Sequence, residues 1–154
     1  MTEVTQQDID LRQLVAGAGD AIMACDARGH ITLWNQASER IFGQSAAEVL
    51  GRSMDLIIPM RQRERHWEGY HKTMATGITK YGSDVLRVPA LHKDGRTLSI
   101  AFTVSMLFTA DHKVSSIVAI VRDETKRFAE ERELRKRLME LEVAAKGTAT
   151  GPSG

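Results

Sequence analysis

At 154 residues the chain has room for one hydrophobic core and short flanking segments. Apolar residues make up 42% and charged residues 27%, and a formal charge of +1 gives no basic excess of the kind nucleic acid attracts. No apolar run is long enough to cross a bilayer, Met1 to Asp10 is too polar for a leader, and the single cysteine, Cys25, excludes an internal disulfide or a CxxC site. A cytoplasmic setting, without membrane or nucleic-acid partners, is the expectation.

Ile9, Leu11, Leu14 and Val15 recur near helical spacing, so a short amphipathic helix is expected from Asp8 to Val15, ended by Gly17, Gly19 and Asp20. Ala21 to Cys25 and His30 to Trp34 flank Asp26-Ala27-Arg28-Gly29 and read as a β-hairpin. Asn35 can cap a short helix that Gly43 ends. Ser45-Ala46-Ala47-Glu48 has capping-box spacing at the head of another helix, which stops at Gly51. Met54 to Ile58 is a short apolar piece. Pro59 suits the first turn of the longest core helix, Met60 to Thr76, closed by Gly77. The period then changes to two. Tyr81 to Leu91 reads as a strand, placed at a sheet edge by Pro89, and His92-Lys93-Asp94-Gly95 as a hairpin turn. Leu98, Ile100, Phe102, Val104 and Met106 alternate with smaller or polar residues, the pattern of a strand with one buried face. After a turn at Ala110-Asp111-His112-Lys113, Val114 to Val121 is apolar on both faces and expected at the centre of the sheet. From Asp123 to Lys146 the composition is helical, with Phe128, Leu134, Leu138 and Leu141 on a thin stripe that suits a short coiled coil. The organisation expected is a tail and helix start over 1–10, a core over 11–122, a helix over 123–146 and a flexible tail over 147–154.

The order of these elements resembles the PAS fold. That resemblance implies an α+β domain with a five-stranded antiparallel sheet, short helices on one face, and flanking N- and C-terminal helices. Asp26-x-x-Gly29 with Ile31-x-x-Trp34-Asn35 looks like the family's opening hairpin and capping asparagine. Glu48-x-x-Gly51, Lys93-Asp94-Gly95 and Asp123-x-Thr125 look like its later landmarks. Within the family, Arg63 to Tyr70 followed by Met74-Ala75-Thr76-Gly77 is similar to the haem-binding PAS domains of FixL-type oxygen sensors. The resemblance places His66 at the position of their axial histidine. It sets Lys72 and Lys80 at positions that hold haem propionates, and Tyr81, Phe102 and Val104 on the apolar distal wall. The chain departs from the pattern at Leu86, which stands where those sensors carry a distal arginine.

Read from the residues, a haem needs a neutral imidazole and a flat apolar slot with cations near its carboxylates. On a helix His66 shares a face with Gly69, Tyr70 and Thr73, and Gly69 lets a ring approach the backbone. Leu86, Phe102 and Val104 would line the sheet opposite. The implied cofactor is haem b, since no CxxCH is present, and the implied signal a diatomic gas or a redox change. A cofactor-free dimerisation and relay module, or a pocket for another small molecule, competes with it. His71, about 140° around the helix from His66, reads as solvated, as do His30, His92, His112 and the basic run Arg61, Arg63, Arg65. Without a phosphate loop, a nucleophile motif or paired metal ligands, no enzyme is expected. The expected partners are a second, parallel copy and an effector outside this chain.

Overall fold

The computed structural model describes residues 8–149. It divides the chain into two units, residues up to Asp123 and residues from Glu124 onward. In the first unit α1 (Leu11–Gly17) is followed by β1 (Ala21–Cys25), β2 (Ile31–Trp34), α2 (Gln36–Phe42) and α3 (Ala46–Val49). A single 3-10 turn, Met54–Ile57, leads to α4 (Met60–Thr76), β3 (Leu86–Leu91), β4 (Thr97–Phe108) and β5 (Val114–Asp123). The second unit is one helix, α5 (Thr125–Ala149).

The strands form one antiparallel sheet in the order β2-β1-β5-β4-β3. The doubly apolar β5 lies at the centre, and β3, with Pro89 lacking a ladder donor, forms an edge, as the residue pattern requires. On β4 the period-two face is buried at Leu98 and Ile100, joined by Ile117 and Val121 of β5 and by Met23 and Cys25 of β1. Phe42, Val49, Ile57, Ile58 and Tyr70 close the core from the helical side. Ile120, on the other face of β5, is exposed.

Asn35 does more than cap α2. Its Oδ1 accepts from Ser38 N (3.0 Å), Ser38 Oγ (2.8 Å) and Ile22 N (2.9 Å). Its Nδ2 donates to the carbonyls of Val15 (2.9 Å) and Asp20 (3.1 Å). One buried amide therefore satisfies the start of a helix, a strand end and the α1–β1 connection together.

Three expectations are corrected. The strand expected from Tyr81 begins at Leu86, because Gly82 takes a left-handed φ of 55° within a turn in which Asp84 N donates to Tyr81 O. Half of the capping box forms: Ser45 Oγ accepts from Glu48 N, whereas the Glu48 carboxylate pairs with Lys93 Nζ at 2.9 Å. The pairing holds the Glu48 carboxyl below its ordinary range, with the Lys93 hydrogen bond the largest cause. The exit helix runs on to Ala149, through part of the expected tail, and residues 150–154 lie outside the described residues.

Candidate functional site

Helix α4 carries a polar, mostly exposed sequence, so its place is set by a few specific ties. Arg63 turns back onto the 3-10 turn, with Nε donating to Ile58 O at 3.1 Å and Nη2 to Asp55 O at 3.2 Å. Trp67 Nε1 donates to Asp55 Oδ1 at 2.7 Å. The same indole packs on Gly29, where an added Cβ would stand 2.1 Å from Trp67 Cη2. The buried Tyr70 hydroxyl donates to the carbonyl of Asp26. All these ties reach the 3-10 turn and the β1–β2 hairpin. Arg63 is thus a structural cross-link and not part of a solvated basic face; Arg61 and Arg65 are exposed.

His66 sits at the border of this anchored face. It is half-buried, its ring lies edge-on to Trp67 (centroids 4.7 Å apart), and its centroid is 5.9 Å from that of Tyr70. Its Nδ1 is shielded from solvent and has no hydrogen-bond partner. Burial lowers the imidazole pKa; Asp55 pulls it the other way and His71 lowers it further. The side chain is therefore neutral, the form in which an imidazole binds a metal.

Across from the helices, the inner sheet face loosens along β4. Leu98 and Ile100 are buried, whereas Phe102, Val104 and Met106 on the same face are half-buried. Leu86 pairs directly with Phe102 and is half-buried too. The segment joining α4 to β3 exposes Ile78, Tyr81 and Val85. The structure thus groups His66 with Tyr70 on the helix, and Leu86, Phe102 and Val104 on one sheet face. It leaves the other site residues outside these groups. Gly69 is exposed with open space where a Cβ would stand, Lys72 is exposed, and Lys80 and Tyr81 are exposed with the Lys80 ammonium 5.4 Å from the Tyr81 ring centroid.

Two surface cavities lie elsewhere. One of about 540 Å³ is bounded by Leu11, Val15, Trp34 and Glu39. The other, of about 470 Å³, lies at the end of α4 and is lined by His71, Met74, His112 and Lys113 among others. Neither is lined by His66. His71 is exposed, as expected, yet shares this second cavity with His112. His92 is half-buried over Gly43, where an added Cβ would stand 2.5 Å from its ring, and its Nδ1 accepts from Asp94 N. Asp55, Arg63 and Trp67 emerge as positioning residues. No spacing rule joins Asp55 to a tryptophan twelve residues away, and the one local sign is the helical Arg63–Trp67 pair.

The comparisons bear on the fold. The family model described as the PAS fold matches residues 9–123. An uncharacterised protein of Azorhizobium caulinodans is 31% identical over 136 residues, covering 88% of this chain and 18% of that protein. The sensor protein FixL of Bradyrhizobium diazoefficiens is 26% identical over 137 residues, covering 88% of this chain and 26% of FixL. The chain thus spans about a quarter or less of these relatives. Among solved structures, a PAS domain of a Colwellia psychrerythraea protein superposes with a TM-score of 0.66 at 22% identity, covering 75% of this chain and 95% of that one. An RNA-binding light-oxygen-voltage receptor gives 0.64 at 21% identity, covering 95% and 43%. At these identities the two structures speak for the fold alone.

Proposed function

Because this chain belongs to the PAS family of sensory domains, we propose that it binds haem b through His66 and relays a gas or redox signal toward its C-terminal helix. The observation that carries the reading is the His66 ring: a neutral imidazole, half-buried on α4, with a shielded nitrogen that nothing in the protein pairs. A buried polar atom left unpaired costs roughly 1–3 kcal/mol, a penalty that bonding at that nitrogen would offset. Cys25, in the core, has its thiol pushed up to about 12 by burial and so offers no thiolate.

In this reading His66 would ligate the iron, and Leu86, Phe102, Val104 and Tyr81 would line the wall opposite. Lys72 and Lys80, both exposed, would supply cations for the cofactor's carboxylates, and Gly69 and Tyr70 flank the His66 ring position on α4. When bound, the iron supplies a coordination state that changes with gas or redox conditions. The protein's part is to hold the imidazole neutral, keep water from Nδ1 and present an apolar wall. That wall would carry Leu86 where an arginine could have donated a hydrogen bond. Phe102 and Val104 lie on β4, whose neighbour β5 ends at Asp123, where the chain passes into α5. Strand movement would thus reach α5 through the covalent chain, and from α5 an effector outside this chain. We further propose a parallel homodimer through α5.

Reconstitution with hemin tests the cofactor. The expected result is a Soret band that His66→Ala abolishes and added imidazole restores. A band of equal intensity and position in His66→Ala removes the residue from the role. A second reading, a relay domain without cofactor, draws on the absence of His66 from both cavities. It predicts no hemin uptake by a protein that is nonetheless dimeric.

A further inference from the structure

Three hairpin turns of this chain share one backbone pattern. In each, the first residue's amide donates to the fifth residue's carbonyl, and the fourth residue's amide donates to the first residue's carbonyl. The pairs are Asp26 N to His30 O (3.0 Å) with Gly29 N to Asp26 O (3.0 Å), His92 N to Arg96 O (2.9 Å) with Gly95 N to His92 O (3.0 Å), and Thr109 N to Lys113 O (2.8 Å) with His112 N to Thr109 O (3.0 Å). The fourth residue is left-handed in all three: Gly29 at φ 78°, Gly95 at 93° and His112 at 61°. Two turns place glycine there, the residue that adopts this conformation without penalty. The third places a histidine, which stands alone among the described non-glycine residues in having a positive φ. Keeping a side chain at that position costs folding energy that glycine would spare.

That imidazole lines the cavity of about 470 Å³ at the end of α4, within the usual size range of small-molecule sites. His71 enters from α4 and Lys113 from the residue after His112, with Met74 and Val114 as an apolar wall. The lining holds no carboxylate. Among the described residues, none of the three side chains is held by an ion pair or side-chain hydrogen bond, although His71 touches the rings of Trp67 and Tyr70. Three N–H-bearing residues from two elements therefore line one opening. An ammonium beside two imidazoles attracts an anion and opposes a divalent cation. The apolar wall gives that anion a carbon body.

We propose that this cavity binds a small organic carboxylate, the carboxylate held by His71, His112 and Lys113 and the apolar part lying on Met74 and Val114. The site shares no residue with the proposed haem site and does not depend on it. An occupant would brace the end of α4 against the β4–β5 hairpin, elements already in reach, since a Cβ on Gly77 would lie 3.7 Å from both Phe108 and Val114.

The test uses the purified chain without added hemin, amide NMR shifts, and two probes, benzoate and inorganic phosphate. Benzoate is expected to give saturable shifts at His71, Gly77 and Lys113, with phosphate weaker by about tenfold. His112→Gly should raise the thermal midpoint by about 3 °C while weakening benzoate about tenfold, opposite effects that a merely structural histidine would not give. Lys113→Gln should weaken benzoate without raising the midpoint. Absence of saturable benzoate shifts, phosphate binding as tightly as benzoate, or unchanged affinity in His112→Gly would each overturn the proposal.

Discussion

His66 keeps one ring nitrogen from solvent without a partner, and that environment fixes the sign of its pH response. Burial lowers its pKa from the ordinary 6.5, with His71 adding to the shift and the nearby Asp55 carboxylate opposing it. An unfolded chain protonates this imidazole at a higher pH than the folded chain does. Between the two values the unfolded state therefore binds more protons, and stability falls as pH drops below 6.5. Urea unfolding at pH 7.5 and in steps down to pH 5 should show this loss, and His66→Gln should flatten it. Parallel curves for the two proteins would mean that the ring is solvated in the folded state. The same neutrality is what iron ligation requires, so acid should also weaken hemin uptake. Cys25 and Tyr70 lie on the other side of this balance. Burial raises both, so each keeps its proton and acts as a packing or hydrogen-bonding group.

At the scale of elements, the three hairpins separate the cost of backbone conformation from that of packing. Gly95 has a positive φ and open space around it, so Gly95→Ala should lose only the left-handed penalty, about 1 kcal/mol. Gly29 has the same conformation with the six-membered ring of Trp67 seated on it, so Gly29→Ala should cost roughly 3 kcal/mol as that ring is displaced. Trp67 emission should change with it, because the indole also donates to Asp55. Equal losses by urea denaturation would show that the α4–hairpin contact contributes nothing. The contrast also separates what is legible in the sequence from what is not. Asp26 to Gly29, His92 to Gly95 and the alternation from Leu98 to Met106 are local, and their chemistry fixes turn and strand directly. The start of β3 is misread from Tyr81 because the backbone of Gly82, not side-chain pattern, ends the extended run. Arg63, Asp55 and Trp67 form a tie between segments, and a tie across a turn leaves no periodic mark. Of the candidate site, the spacing around His66 is readable, whereas the half-open sheet face at Phe102 and Val104 is a property of packing alone.

For the whole molecule, the remaining question is what meets α5. This 25-residue helix exposes Leu134 (63%), Leu138 (57%) and Leu141 (68%). Their spacing of four and three, continued by Ala145, places them at the d, a and d positions of a heptad seam. The same register puts Glu130 and Arg137 at g, and Arg135 and Glu142 at e. In a parallel, in-register pair each g residue faces the e residue five positions later on the other copy. Glu130 would then meet Arg135, and Arg137 would meet Glu142, opposite charges in both cases. Two heptads make a weak seam, so the dimer should dissociate on dilution. Each exposed pair contributes about 0.5 kcal/mol and is made twice by symmetry. Arg135→Glu, which turns attraction into repulsion at both places, should raise the dimer dissociation constant roughly tenfold or more. Adding Glu130→Arg should recover most of the loss, since the swapped pair attracts again. Sedimentation equilibrium, with helicity followed by circular dichroism, reads all three proteins. A wild-type chain that is monomeric at tens of micromolar, or a double variant no tighter than Arg135→Glu, would refute the parallel register and leave the apolar stripe for some other partner.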